Sequence, residues 1–149
     1  MNLNTISDEQ LREAYVARFT IPAGDPIRSL EAAADHFRGF LADDVNREIF
    51  IVCFLNGQNQ LLTTEILFRG SLTSSAVYPR EVVSRVLTNQ AASVIFAHNH
   101  PSGAIRPSTH DRKVTEKLKQ ALDAIDVRVL DHVILGGDEA YSFAEAGLL

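Results

Sequence analysis

The run Ile49-Phe50-Ile51-Val52-Cys53-Phe54-Leu55 is seven apolar residues with no polar interruption. A strand with one wet face alternates apolar and polar side chains, so an unbroken β-branched and aromatic run of this length reads as a strand buried on both faces. Such a strand needs cover, and the surrounding chain offers helices to supply it. Leu30, Ala33, Ala34, Phe37, Phe40 and Leu41 recur at helical spacing and predict an amphipathic helix over about 28–42. Asn56-Gly57 is turn chemistry, and Leu61 to Phe68 reads as a second strand in an antiparallel hairpin with the first. Residues 72–78 read as extended. Pro79 suits a first helical turn, and Val82, Val83, Val86 and Leu87 predict a helix over about 79–90. Ala92 to Ala97 reads as a third, central strand, and Val114, Leu118, Ala121 and Leu122 mark a helix over about 109–124. Val127 to Leu135 reads as a strand, and Tyr141 to Phe143 as a short last one after the Gly136-Gly137 turn. Interleaved helices and strands predict an α/β (α+β) class, a central mixed sheet flanked by helices.

A length of 149 residues fits one domain. Residues 1–27 read as an arm: Ser7-Asp8-Glu9-Gln10 looks like a helix start, with a short amphipathic helix to about Ala17. Ile21-Pro22-Ala23-Gly24-Asp25-Pro26 then places a soft boundary before a domain over 28–149. The arm is expected to pack on that domain or on a second subunit. Met1 to Gln10 has no signal-peptide character, and no apolar run approaches the ~18 residues of a membrane span, so the expected compartment is cytoplasmic. The lone Cys53 excludes an internal disulfide and reads as a small buried hydrophobe. With 14 basic against 19 acidic residues, the formal charge of −5 argues against a protein built chiefly to grip phosphate backbones.

The chemistry concentrates in 96–111, Phe-Ala-His98-Asn-His100-Pro-Ser-Gly-Ala-Ile-Arg-Pro-Ser108-Thr-His-Asp111. His98 and His100 lie two apart where a strand ends, so both imidazoles can face one ion. Pro101 and Gly103 turn the chain back, and a helix beginning near Ser108 presents Asp111 in its first turn. Two nitrogens and a carboxylate oxygen are the three protein ligands of a catalytic zinc site, with the fourth position left to water. Ser108-x-x-Asp111 is also the pattern of a helix N-terminal cap, which needs no function and is compatible with the metal reading.

These spacings, His-x-His, seven residues, Ser, two residues, Asp, resemble the signature of the JAMM (JAB/MPN) metallopeptidases. The fuller His98-Asn99-His100-Pro101-Ser102-Gly103 with Pro107-Ser108 and Asp111 resembles the RadC branch of that family. Phe54-Leu55-Asn56, Tyr78-Pro79-Arg80-Glu81-Val82, Asp131-His132-Val133-Ile134 and the closing Tyr141 to Leu149 extend the likeness to the short prophage-type members, which lack the helix-hairpin-helix region. The likeness covers about 28–149. Ala104-Ile105-Arg106 departs from the family, which often has an acidic residue followed by proline there.

The resemblance implies the JAB/MPN, cytidine-deaminase-like fold, with zinc held by His98, His100 and Asp111 and cleavage of a peptide or isopeptide bond by an activated water. It implies Glu48 as the general acid/base and Ser108 as an oxyanion-stabilising hydroxyl. Glu65 is the rival to Glu48, with Glu81 a poorer one in the first turn of a helix. Asn99 is expected to point away from the metal and brace the loop, and His110 to lie off the ligand face. Asp131-His132 reads either as a pair near the sheet edge that orients a ligand or as a packed structural histidine, and His36 as exposed. The partner implied is a peptide or protein substrate, with no membrane and no direct nucleic-acid contact. Two sheet edges permit a homodimer. The alternatives are a DNA-repair-associated accessory protein of mobile elements and a metal-binding scaffold without turnover. The deaminase pattern of His-x-Glu with Pro-Cys-x-x-Cys is absent.

Overall fold

A computed structural model describes residues 2–41, 46–70 and 77–149. Its elements are α1 (Asp8–Phe19), α2 (Leu30–Leu41), β1 (Ile49–Leu55), β2 (Leu61–Arg69), α3 (Pro79–Thr88), β3 (Ser93–Asn99), α4 (Thr109–Asp123), β4 (Arg128–Gly136) and β5 (Glu139–Ser142). The five strands form one mixed sheet in the order β2-β1-β3-β4-β5. β1 runs antiparallel to β2 and to β3, β3 parallel to β4, and β5 antiparallel to β4. This is the α/β architecture expected of a JAB/MPN domain. Among the described residues, no helix is long and apolar enough to cross a membrane.

β1 is buried at every position because its two faces meet different helices. Phe50, Val52 and Phe54 join Val94, Phe96, Val82, Val86, Leu118 and Leu122 under α3 and α4. Ile49, Ile51, Cys53 and Leu55 join Ala97, Val133, Ala33, Ala34 and Phe37 under α2. Each fully buried Phe or Ile side chain contributes roughly 1.5–3 kcal/mol of hydrophobic transfer free energy. Cys53 is one of these core residues, and burial pushes its thiol up to about 12, so it has no nucleophilic character.

β3 and β4 slip register between Val94 and Ile95: Val94 pairs with Val129, but Ile95 pairs with Asp131. The extra residue, Leu130, is a bulge, and a bulge reverses which face the following side chains meet. Asp131 anchors it, accepting from the His132 and Ala144 amides at 2.7 and 3.0 Å and from the Ser142 hydroxyl at 2.6 Å. His132 therefore turns toward α4, the face that carries His98.

Three expectations are corrected. His36 is buried, at 1% exposure, not exposed: its Nδ1 lies 2.9 Å from the Ile21 amide and its Nε2 2.8 Å from Thr64 Oγ1. The last strand is Glu139–Ser142: it starts early because Gly136 and Glu139 pair directly across a two-residue turn, and it ends where the Ser142 hydroxyl and the Ala144 amide donate to the Asp131 carboxylate. The first helix runs to Phe19 and buries none of its side chains, so it is not an amphipathic cover. It starts as expected on Ser7, with a capping box closed by Gln10. The arm packs on its own domain: Tyr15 reaches the Asp35 carbonyl at 3.2 Å, and Gly24 and Asp25 bond to Leu61. The extended stretch expected over 72–78 lies mostly outside the described residues, as does the end of the 28–42 helix.

Candidate metal centre

β3 and α4 meet at one end of the sheet. Val94, Phe96 and His98 alternate onto the α4 face, so His98 arrives there from the penultimate position of β3. His100 follows, with its amide still bonded to the Leu135 carbonyl of β4 at 2.9 Å. The chain turns at Pro101 and re-enters helix at Thr109, with Ser108 as N-cap. The capping box is closed both ways: the Asp111 amide donates to Ser108 Oγ at 3.0 Å, and the Ser108 amide donates to Asp111 Oδ2 at 2.8 Å. A cap of this kind fixes the Asp111 carboxylate at the positive end of the helix.

Three ligand groups converge there. His98 Nε2 lies 3.1 Å from His100 Nε2 and 3.3 Å from Asp111 Oδ1, and His100 Nε2 lies 3.1 Å from Asp111 Oδ2. A four-coordinate ion with bonds of about 2.0–2.1 Å separates its ligands by about 3.3–3.4 Å, and each of these separations, with one carboxylate oxygen toward each imidazole, is close to that. His98 and Asp111 are buried and His100 is half-buried, which leaves one open side. His100 Nδ1 lies 2.8 Å from the Ala104 carbonyl, which can only accept. Nδ1 therefore carries the proton, and Nε2 turns a lone pair to the triangle.

The charges agree with a cation position. Burial alone would raise the Asp111 carboxyl, but the His100 and His98 imidazoles beside it and the Ser108 amide outweigh burial and hold the group well below the usual carboxylate range. Asp111 in turn raises the His100 imidazole, against the opposing effect of burial, and the Glu48 charge adds to the rise. His132, sealed inside the protein, is pushed well below the ordinary histidine value by burial.

Glu48 sits at the mouth. It lines a cavity of about 350 Å³ together with His100, Ser102, Ser108, His110 and Asp111. Asn99 points away from the triangle, as expected, but what it braces is the entry to β1 and not the 101–107 loop. Its Oδ1 accepts from the Ile49 amide and its Nδ2 donates to the Arg47 carbonyl, both at 2.8 Å, so the residues on either side of Glu48 are pinned. The Gly70 amide holds the Glu48 carbonyl at 2.9 Å. Glu65, the rival, is engaged elsewhere: Arg85 grips it at 2.6 and 2.8 Å and Asn89 at 2.8 Å. Glu81 is exposed in the first turn of α3. His110 is exposed and outside the ligand triangle.

Of Asp131-His132, only the histidine reaches the site, and it comes from an inner strand, not a sheet edge. His98 Nδ1 lies 2.7 Å from His132 Nε2, and His132 Nδ1 lies 2.5 Å from Thr115 Oγ1, which donates to the Asp111 carbonyl at 2.8 Å. Thr115 was not singled out from the sequence. The available signal was its place one turn beyond Asp111 on the same helix face.

The matching family model, the RadC-like JAB domain, covers residues 27–148. The UPF0758 protein YfjY of Escherichia coli K12 is 50% identical over 145 residues, which is 97% of this chain and 84% of that protein. A UPF0758 protein of Thiobacillus denitrificans is 51% identical over 127 residues, 85% of this chain and 56% of its own length. Another from Pseudoalteromonas translucida is 54% identical over 105 residues, 70% of this chain and 47% of its own. The chain thus spans about half the length of the latter two relatives.

Proposed function

This chain belongs to the RadC-like JAB domain family, and from that premise we propose that it is a zinc-dependent hydrolase of peptide or isopeptide bonds. The observation that carries the reading is the convergence of His98, His100 and Asp111 on one point whose open side faces Glu48 and Ser108. Two imidazole nitrogens and one carboxylate oxygen suit zinc among the common divalent ions. The chemistry such an ion supplies is a water made acidic near neutral pH and a polarised substrate carbonyl.

The chain's own residues do the rest. Glu48, half-buried at the mouth, takes the proton of the attacking water and delivers it to the leaving amine. Ser108 uses an oxygen lone pair to accept from the Asp111 amide, so its hydroxyl proton is left to donate to the developing oxyanion. A second cavity of about 460 Å³, lined by Tyr15, Arg38, Leu41, Asn99, His100 and Leu135, gives room for substrate side chains on the other flank of His100.

The test pairs metal content with cleavage. Purified wild type, Glu48→Gln and His98→Ala are assayed for zinc by plasma mass spectrometry and incubated with a proteome-derived peptide library read for new termini. Wild type and Glu48→Gln are expected to carry one zinc, and His98→Ala none. Only wild type should generate new termini, with Glu48→Gln down by about 10²–10⁴-fold. Cleavage by Glu48→Gln at the wild-type rate removes Glu48 from the mechanism. Zinc in the wild type without cleavage of any peptide favours a metal-binding scaffold.

A further inference from the structure

We infer that Thr115 and His132 form a proton-ordered relay that fixes which nitrogen of His98 faces the metal position, and that the affinity of the site depends on it. The inference rests on the metal reading of the same triangle and adds two residues whose task is positioning.

The proton order follows from what each atom can do. A threonine hydroxyl has one hydrogen. Thr115 Oγ1 lies 2.8 Å from the Asp111 carbonyl oxygen, which can only accept, so that hydrogen is committed there. The contact of Oγ1 with His132 Nδ1 then needs the proton on Nδ1. His132 is enclosed by aromatic rings: Phe143 stacks on it at 4.7 Å, and Phe50 and Phe96 meet it edge-on. Such surroundings favour the neutral ring, whose second nitrogen, Nε2, is then a lone pair. One proton must lie in the 2.7 Å contact between His132 Nε2 and His98 Nδ1, and it belongs to His98. His98 Nε2 is left as a lone pair directed at His100 Nε2 and Asp111 Oδ1.

With the His132 proton held on Nδ1, the opposite tautomer of His98 would set two lone pairs against each other at 2.7 Å in a buried site, and its Nε2 proton would have to leave before an ion could be held. The relay also closes on itself: the Asp111 carbonyl orients Thr115, while the Asp111 carboxylate belongs to the triangle. The β4 bulge makes the arrangement reachable, because regular alternation from Val129 through Leu130 would turn His132 toward α2. A ring that merely filled space would need neither the bulge nor a hydroxyl at Thr115.

The experiment uses metal-free full chain at pH 8 and reads histidine ring nitrogens by long-range ¹H–¹⁵N NMR. Zinc affinity is read separately by chelator competition. Wild type is expected to show His98 as a single tautomer protonated at Nδ1. Thr115→Val, close in shape but without the hydroxyl, should lose that single state and bind zinc 10–100-fold more weakly. Thr115→Ser should restore both. A His98 proton on Nε2 in wild type overturns the relay without any variant, so the outcome does not depend on Thr115→Val folding. Unchanged tautomer and affinity in a folded Thr115→Val overturn it as well. Failure of wild type to bind zinc, with the Nδ1 tautomer present, overturns the metal reading and the affinity half of the inference while the proton order stands.

Discussion

The Ile21 amide donates to His36 Nδ1, so the ring proton sits on Nε2 and faces Thr64 Oγ1, and the first of these contacts requires the neutral imidazole. Burial lowers the pKa of His36 from 6.5 to about 4. The unfolded chain therefore takes up this proton first, and the stabilisation is complete above about pH 6.5 and declines as pH falls toward 4. Urea unfolding at pH 7 and pH 5 should show a loss of roughly 2 kcal/mol from this group. His36→Gln should flatten the slope but not abolish it, because His132 contributes with the same sign. An equal slope in the variant contradicts the assignment. The three residues of the candidate metal centre were legible in sequence because each depends on short-range geometry: two histidines two apart at a strand end, and an aspartate three after a helix cap. His36 was not, although it lies three residues after Ala33 and four before Phe40 on the packed face of α2. What buries it, the arm near Ile21 and Thr64 of β2, is distant in sequence.

At the scale of elements, the site is held by how a strand, a loop and a helix end meet. Gly136 closes β4 against the 101–107 loop: a methyl group there would lie 2.5 Å from the Gly103 carbonyl oxygen and 2.8 Å from Ile105 Cγ2. The same loop carries the Ala104 carbonyl that orients His100. Gly136→Ala should displace the loop and weaken zinc binding by about tenfold in chelator competition, the low end for lost ligand orientation. Wild-type affinity in that variant would show that the loop is not seated by this contact. Ser108→Ala should cost about 1 kcal/mol of stability through the lost cap, read from thermal or urea unfolding, and should lower turnover further through the lost hydroxyl. Helix and strand positions were legible here because periodicity is local. The β4 bulge was not: an extra residue leaves no periodic trace among Val129, Leu130 and Asp131, so the face of His132 stayed hidden.

Over the whole molecule, the candidate site joins β3 and α4, with β4 contributing His132 and the chain before β1 contributing Glu48. An ion that bridges β3 and α4 ties the strand end to the helix start across the 101–107 loop. A ligand held only by the folded state stabilises it by about 2.7 kcal/mol at a hundredfold excess over its Kd. For a chain of this size that is about 5–10 °C in Tm, measurable by scanning calorimetry with zinc and reversed by chelator. No shift would contradict a site formed only on folding. The architecture was legible from the seven-residue apolar run and its flanking helices. The docking of the arm was not, because much of it is backbone contact, Gly24 and Asp25 to Leu61 with Pro26 bridging Gln60, and backbone contacts leave no side-chain signature. The most direct measurement is an anomalous diffraction map collected at the zinc absorption edge from crystals grown with zinc. A single strong peak is expected about 2.0–2.2 Å from His98 Nε2, His100 Nε2 and a carboxylate oxygen of Asp111. A map with no peak at that point, or with zinc bound by other side chains alone, contradicts the metal reading.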